Sequence, residues 1–188
     1  MEKIPEIDEI ANIFWDKTEK LILEDGEINP LIFGVQMEED EVSAPIDLFS
    51  ELTEYNWSDP EDRYNLYYHA FRRKIEWELD GLVSIFESWT TTLDVNGMLE
   101  KGLKPDEIKS QDEFYRLSKE YPDLFDRSES LSLYIEWKGS TRLLWGRIFR
   151  ENNDPDGRVV HISEYVEHND DALDGIIRDA RKQAIRES

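Results

Sequence analysis

SLSLYIEWKGSTRLLWGRIFR, residues 130–150, is the stretch on which the fold turns. SLSLYIEW (130–137) alternates apolar and polar residues with the period of a half-buried strand, and TRLLWGRIFR (141–150) repeats the pattern after a short interruption. Gly139-Ser140 fits a two-residue type II′ turn, so the segment predicts an antiparallel hairpin. That turn sets a register in which Trp137 opposes Arg142, Ile135 opposes Leu144 and Leu131 opposes Ile148. The face carrying these residues is mostly aliphatic and should meet helices. The other face pairs Tyr134 with Trp145, Glu136 with Leu143 and Ser132 with Arg147. Tyr134, Glu136, Trp145 and Arg147 therefore form a mixed aromatic and charged surface, a candidate binding face because aromatic and Arg side chains favour interfaces. The competing expectation is that residues 94–127 cover it with Phe114, Tyr115, Leu117 and Phe125, since large exposed apolar patches are rare.

Working outward, Asp154-Pro155-Asp156-Gly157 predicts a further turn and RVVHISEYV (158–166) another strand. Upstream, Leu82 to Leu93 reads as a strand, which makes a four-strand meander. LIFGVQ (31–36) and residues 42–48 form an N-terminal hairpin around the acidic MEEDE (37–41), and Pro45 places the return strand at an edge. Three main helices surround these strands. The first opens near Pro5 with Ile7, Ile10, Phe14 and Leu21 inward, and stops at Glu24-Asp25-Gly26. The second carries a cap, a proline and a capping-box acid in Ser58-Asp59-Pro60-Glu61, runs through Tyr64, Tyr67, Tyr68, Phe71, Ile75 and Leu79, and stops at Gly81. The last begins near Asn169-Asp170, with Leu173, Ile176, Ile177, Ala180 and Ala184 inward, and contains Gly175. Ser110-Gln111-Asp112-Glu113 caps a short helix within residues 94–127, which read as an insertion. The expectation is one α+β domain over residues 1–188, built on a mainly antiparallel sheet.

Composition narrows the function classes. Of 188 residues 39% are hydrophobic, with six Trp, eight Tyr and eight Phe, enough for a packed core despite the charge. No run approaches the roughly 18 to 20 apolar residues of a membrane span, and the acidic start lacks a signal-peptide core, so a cytoplasmic location is expected. The absence of cysteine excludes disulfides, thiol catalysis and thiolate metal sites. The net charge of −22 repels nucleic acid and anionic lipid. It reads first as a solvated acidic coat, suited even to a salt-rich cytosol, although ten lysines remain beside twelve arginines. The alternative is imitation of nucleic acid before a basic partner.

Glu87 is the one candidate for catalysis. In IFESW (85–89) it shares a strand face with Val83, Ile85 and Trp89, where desolvation would prepare a general acid. Burial also demands a partner, and Arg142, Arg147, Arg72 and Arg73 are the available cations. A paired structural carboxylate is the reading adopted. Asn152, Asp154, Asp156 and Gly157 match the start of a calcium loop, but Ser163 stands where the closing carboxylate belongs. His161, Glu164 and His168 would gather a metal only on a helix, and Val160 and Ile162 indicate strand. No metal or other cofactor is therefore expected. Phosphate-loop, dinucleotide and G-x-S-x-G patterns are missing, and the basic clusters Arg72-Arg73-Lys74 and Arg178, Arg181, Lys182, Arg186 read as solvated helix faces.

Asp25, Gly26, Pro30 and Phe33 in EDGEINPLIF (24–33), followed by Glu87 and Trp89, resemble a loose group of small uncharacterised proteins of bacteria, archaea and their viruses. Its members carry a D-G-x-x-x-P-x-x-F stretch and an S-E-A-W-like strand; Phe86 and Ser88 depart from the usual small residues. The resemblance covers the first half of the chain and implies no activity, only that Glu87 and Trp89 belong to a common scaffold or site. The leading expectation is thus a non-enzymatic accessory or interaction domain with a protein partner, of viral or mobile-element origin. Its rivals are an enzyme centred on Glu87, with Asp25 or Glu136 as second carboxylate, and an acidic nucleic-acid mimic.

Overall fold

The structure is a computed structural model that describes residues 6–38, 41–42, 45–48, 54–108, 110–151, 157–168 and 175–188. It has an α+β fold. In chain order the elements are α1 (Ile7–Asp25), β1 (Leu31–Val35), β2 (Met37–Glu38), β3 (Glu41–Val42), β4 (Ile46–Asp47), α2 (Pro60–Glu76), β5 (Gly81–Leu93), α3 (Val95–Glu100), α4 (Gln111–Glu120), β6 (Phe125–Trp137), β7 (Ser140–Arg150), β8 (Val159–Ile162), β9 (Val166–His168) and α5 (Ile176–Arg186). The main sheet runs β4-β1-β5-β6-β7-β8, with β9 also on β7, while β2 and β3 form a separate ribbon. The expected hairpin and meander are both present. The hairpin is broken, however: only Phe33 and Gly34 pair with Asp47 and Ile46, and the ribbon of Met37 and Val42 extends beyond them. Pro45 does precede an edge strand, as a residue without an N–H should.

The chain divides into two compact units, one of residues 1–87 with 131–188, the other of residues 88–130. In the first, each sheet face buries its own core. Ile10, Phe14, Trp15 and Ile22 of α1 cluster with Val83, Ile85, Leu131, Leu133, Ile135, Leu144 and Ile148. Leu66, Tyr67, Ala70 and Phe71 of α2 and Ala180 and Ala184 of α5 cluster with Ile32, Leu82 and Tyr134 on the other face. The alanines let the helices approach closely, and Tyr64 donates a hydrogen bond to Gln183 (3.2 Å) between them. Tyr67 is fully buried with its hydroxyl 2.7 Å from Ser84, and burial pushes its phenol well above the ordinary value of 10.0. In the second unit Met98, Leu117 and Leu124 are buried, and Phe114 meets Phe125 edge to face at 5.0 Å. Ser110 caps α4 as expected, accepting from the Glu113 N–H at 3.2 Å. The short helix α3, capped by Asp94, was not foreseen.

Five local expectations need correction. Ile22, not Leu21, continues the buried stripe of α1 past Thr18, because four-residue steps from Phe14 land there; Leu21 is 38% exposed. Asp59 alone caps α2, accepting from the Glu61 and Asp62 N–H groups. That helix stops at Glu76 rather than Gly81, because Glu78 takes the left-handed conformation (φ 53°) and the Leu79 N–H returns to the Lys74 carbonyl at 2.9 Å. The meander turn is Lys138-Gly139, with φ of 47° and 90°, the pattern of a type I′ turn and not type II′. Moving the turn by one residue slides the pairing by two, so every side chain keeps its expected face. Gly175 lies at the start of α5 with φ 118°, not inside it. Pro5, Asn169, Asp170 and Leu173 lie outside the described residues.

Candidate functional site

Both carboxylate oxygens of Glu87 are engaged. Its Oε1 accepts from the Ile28 N–H at 2.7 Å, and its Oε2 meets Arg150 Nη2 at 3.4 Å. Arg150 Nη1 donates in addition to the carbonyls of Gly26 (2.7 Å) and Gly157 (2.6 Å). One carboxylate and one guanidinium thus join the end of α1, β5, the end of β7 and the approach to β8. The Arg150 partner replaces the expected Arg142, Arg147, Arg72 and Arg73. Arg142 pairs with Asp8 (3.5 Å) and Arg72 with Glu76 (3.7 Å). Asp25 ends α1 one residue before Gly26, whose backbone rather than any second carboxylate meets the clamp. Glu136 lies on the opposite sheet face, against Lys74 of α2 and Arg181 of α5, away from Glu87. Glu87→Leu removes the acceptor of the Ile28 N–H and one partner of the guanidinium, and is expected to lower unfolding free energy by about 2 kcal/mol; Glu87→Gln, which keeps an acceptor, should lose about half that. Urea titration of the two variants checks this, and a Glu87→Leu protein as stable as the parent would show the clamp to be idle.

The proposed aromatic face is also rearranged. Tyr134 is 1% exposed and packs edge to face on Phe71 (6.3 Å), beneath α2. Glu136 is 3% exposed. Its Oε2 lies 2.7 Å from Lys74 Nζ on α2 and its Oε1 3.9 Å from Arg181 Nη2 on α5, and Oε1 also accepts from the Gly139 N–H at 3.1 Å. These two residues belong to the interior and cannot line an open binding face. Trp145 and Arg147, farther along β7, are half-buried. The Arg147 guanidinium sits 5.4 Å above Phe149, which stacks in turn on His161 (5.5 Å, 19° between planes).

The open site lies at the other edge of the meander and was not foreseen. The expected single strand 158–166 is broken twice. Phe149 faces His161 but Arg150 faces Val159, so Val160 is an extra residue and is 52% exposed. Farther on, Ile148 faces Ile162 whereas Trp145 faces Val166. Three residues, Ser163, Glu164 and Tyr165, therefore stand against two, Gly146 and Arg147: a second bulge. Ser163 holds its base. Its N–H donates to the Arg147 carbonyl and its Oγ accepts from the Arg147 N–H, both at 2.9 Å. Gly146 is required beneath it, since a Cβ there would come within 2.8 Å of the Ser163 carbonyl and 2.9 Å of Trp15.

Between this bulge and α1 opens a cleft of about 490 Å³. Buried Trp15 forms its floor, and Tyr165 stands beside it with ring centroids 5.2 Å apart and planes at 59°. The Tyr165 hydroxyl donates to Asn12 Oδ1 at 2.8 Å, which fixes that ring on α1. Glu19, one helical turn beyond Trp15, and Glu164 of the bulge supply carboxylates. Among the described residues the lining contains no lysine or arginine. The isolated glycine in LLWGRIF was the signal available in the sequence, because glycine inside a strand marks a bulge or a close backbone approach.

Among the described residues no cluster of three or more His, Asp or Glu is placed to hold a metal ion. His161 and Glu164 line the same cleft but sit on a strand and a bulge, not on one helical face. Asn152, Asp154 and Asp156 of the calcium-like sequence lie outside the described residues. No helix among those residues is long and apolar enough to cross a membrane. Compared with known proteins, the chain matches no protein-family model, no curated protein and no solved structure.

Proposed function

We propose that this chain is a non-enzymatic interaction domain of the cytoplasm that docks a partner protein in the cleft between α1 and the β8–β9 bulge. The observation that carries this reading is the cleft itself: an aromatic floor and wall with two carboxylates, held open by two bulges in an edge strand. Edge irregularities of this kind collect at functional positions, and a concave, partly aromatic site with a few convergent polar groups is the usual form of a binding pocket. Glu87 supports the reading from the other side, because its carboxylate is engaged by Ile28 and Arg150 rather than presented to a substrate. The net charge of −22 disfavours nucleic acid as the direct partner.

The test is position-specific photocrosslinking in the host cells. A benzophenone amino acid at position 164 should yield one adduct of fixed stoichiometry with a discrete protein. The same group at exposed position 186, on α5, should not. No adduct from position 164, or the same adduct from both positions, would overturn the assignment of the cleft.

A further inference from the structure

We infer that the cleft receives an arginine side chain presented by the partner protein, an assignment that rests on the docking reading above. Three features of the site converge on it. The first is charge: Glu19 and Glu164 line the cleft with no lysine or arginine among the described lining residues, within a chain of net charge −22. With His161 the one basic side chain among the described lining residues, the two carboxylates favour a cation, and a concavity focuses that attraction. The second is the pair of rings. Tyr165 offers an exposed π-surface beside the buried Trp15 ring, at 59° to it, and such a surface attracts a cation electrostatically. The third is shape. A guanidinium is flat, weakly hydrated and forked, so it can stack on a ring while donating to a carboxylate; a lysine ammonium is a compact, strongly hydrated point charge that gains less from a ring.

The location suits a side chain delivered from an extended segment. β8 is the last strand in the order of the main sheet, and the cleft lies directly between it and α1. A partner segment running along such an edge can aim one side chain into the cleft while its backbone stays outside. Val160, extra to the β8 ladder and exposed, keeps this edge irregular, so recognition concentrates in the cleft rather than in a long backbone ladder.

The experiment is a two-dimensional NMR titration of the intact chain with the peptide acetyl-Gly-Arg-Gly-amide and with its citrulline counterpart, which keeps the shape and removes the charge. The arginine peptide should produce saturable shifts at the Trp15 indole N–H and at the amides of residues 163–165. The citrulline peptide should bind at least tenfold more weakly. The Glu19→Gln, Glu164→Gln double variant should lose at least tenfold in arginine-peptide affinity with an unchanged amide spectrum elsewhere, and added salt should weaken binding to the parent. Equal binding of the citrulline peptide would overturn the proposal, and so would non-saturating shifts spread over the acidic surface. Binding of spermidine at the same residues without binding of the arginine peptide would overturn it in favour of a free polyamine. Should no peptide bind while the crosslink from position 164 persists, the arginine assignment falls and the docking reading stands; if both fail, both fall.

Discussion

Glu136→Ala should cost about 3 kcal/mol of folding free energy, the first of two changes with large expected effects. The carboxylate is 3% exposed and is reached by Lys74 from α2, by Arg181 from α5 and by the Gly139 N–H from the meander turn. Removing it leaves two cations facing each other in a poorly solvated seam, at the point where both helices cross the sheet. Arg181 also donates to the Gly139 carbonyl at 2.9 Å, so α5 would lose one of two attachments there. Because a buried ion pair repays its desolvation only in part, the triple exchange Lys74→Met, Glu136→Leu, Arg181→Met should recover most of the loss. Equilibrium urea unfolding measures both proteins. A single variant within about 0.5 kcal/mol of the parent would mean that water reaches the seam.

Gly146→Ala is the second. The new methyl group would approach the Ser163 carbonyl to 2.8 Å, Trp15 Cζ2 to 2.9 Å and Ile162 Cγ2 to 3.0 Å. Of these the carbonyl belongs to the backbone of the bulge and Trp15 is packed in the core, so neither yields easily. The expected cost is about 2 kcal/mol, typical of overpacking. The substitution should also move Trp15 and abolish the arginine-peptide shifts, linking the strand irregularity to the cleft. Thermal unfolding and the same titration check the two halves. An alanine variant with parental stability and parental binding would show that the bulge relaxes around the methyl group.

These two residues also show how far the sequence could be read. The alternation in SLSLYIEW placed Leu131, Leu133 and Ile135 on one face and Tyr134 on the other, because period-two patterning survives a change of turn. The same pattern could not say that Tyr134 and Glu136 would be roofed by α2 and α5, since which helix covers which face is a property of the whole topology. The turn was misplaced by one residue because Lys138 adopts a left-handed conformation that lysine rarely takes, leaving only Gly139 as a visible marker. Glu87 has a cationic partner as expected, but that partner came from the far end of β7. Arg150 reaches it beside the Gly26–Ile28 loop, a meeting that no strand register encodes. The cleft was missed because RVVHISEYV reads as one continuous strand; only Gly146, on the neighbouring strand, carried a hint of the bulge.

The interrupted edge has one more consequence, for self-association. A main sheet that ends in straight, regular strands offers a template on which a second copy can add its own strand, and a third after that. Here one end is a two-residue strand preceded by Pro45 and ending at Asp47, and the other is β8 with its extra Val160, followed by the Ser163–Tyr165 bulge. Among the described residues, neither end presents enough consecutive, evenly spaced backbone groups to seed a ladder between copies. The two dislocations beside the cleft thus also act against strand addition at that end of the main sheet.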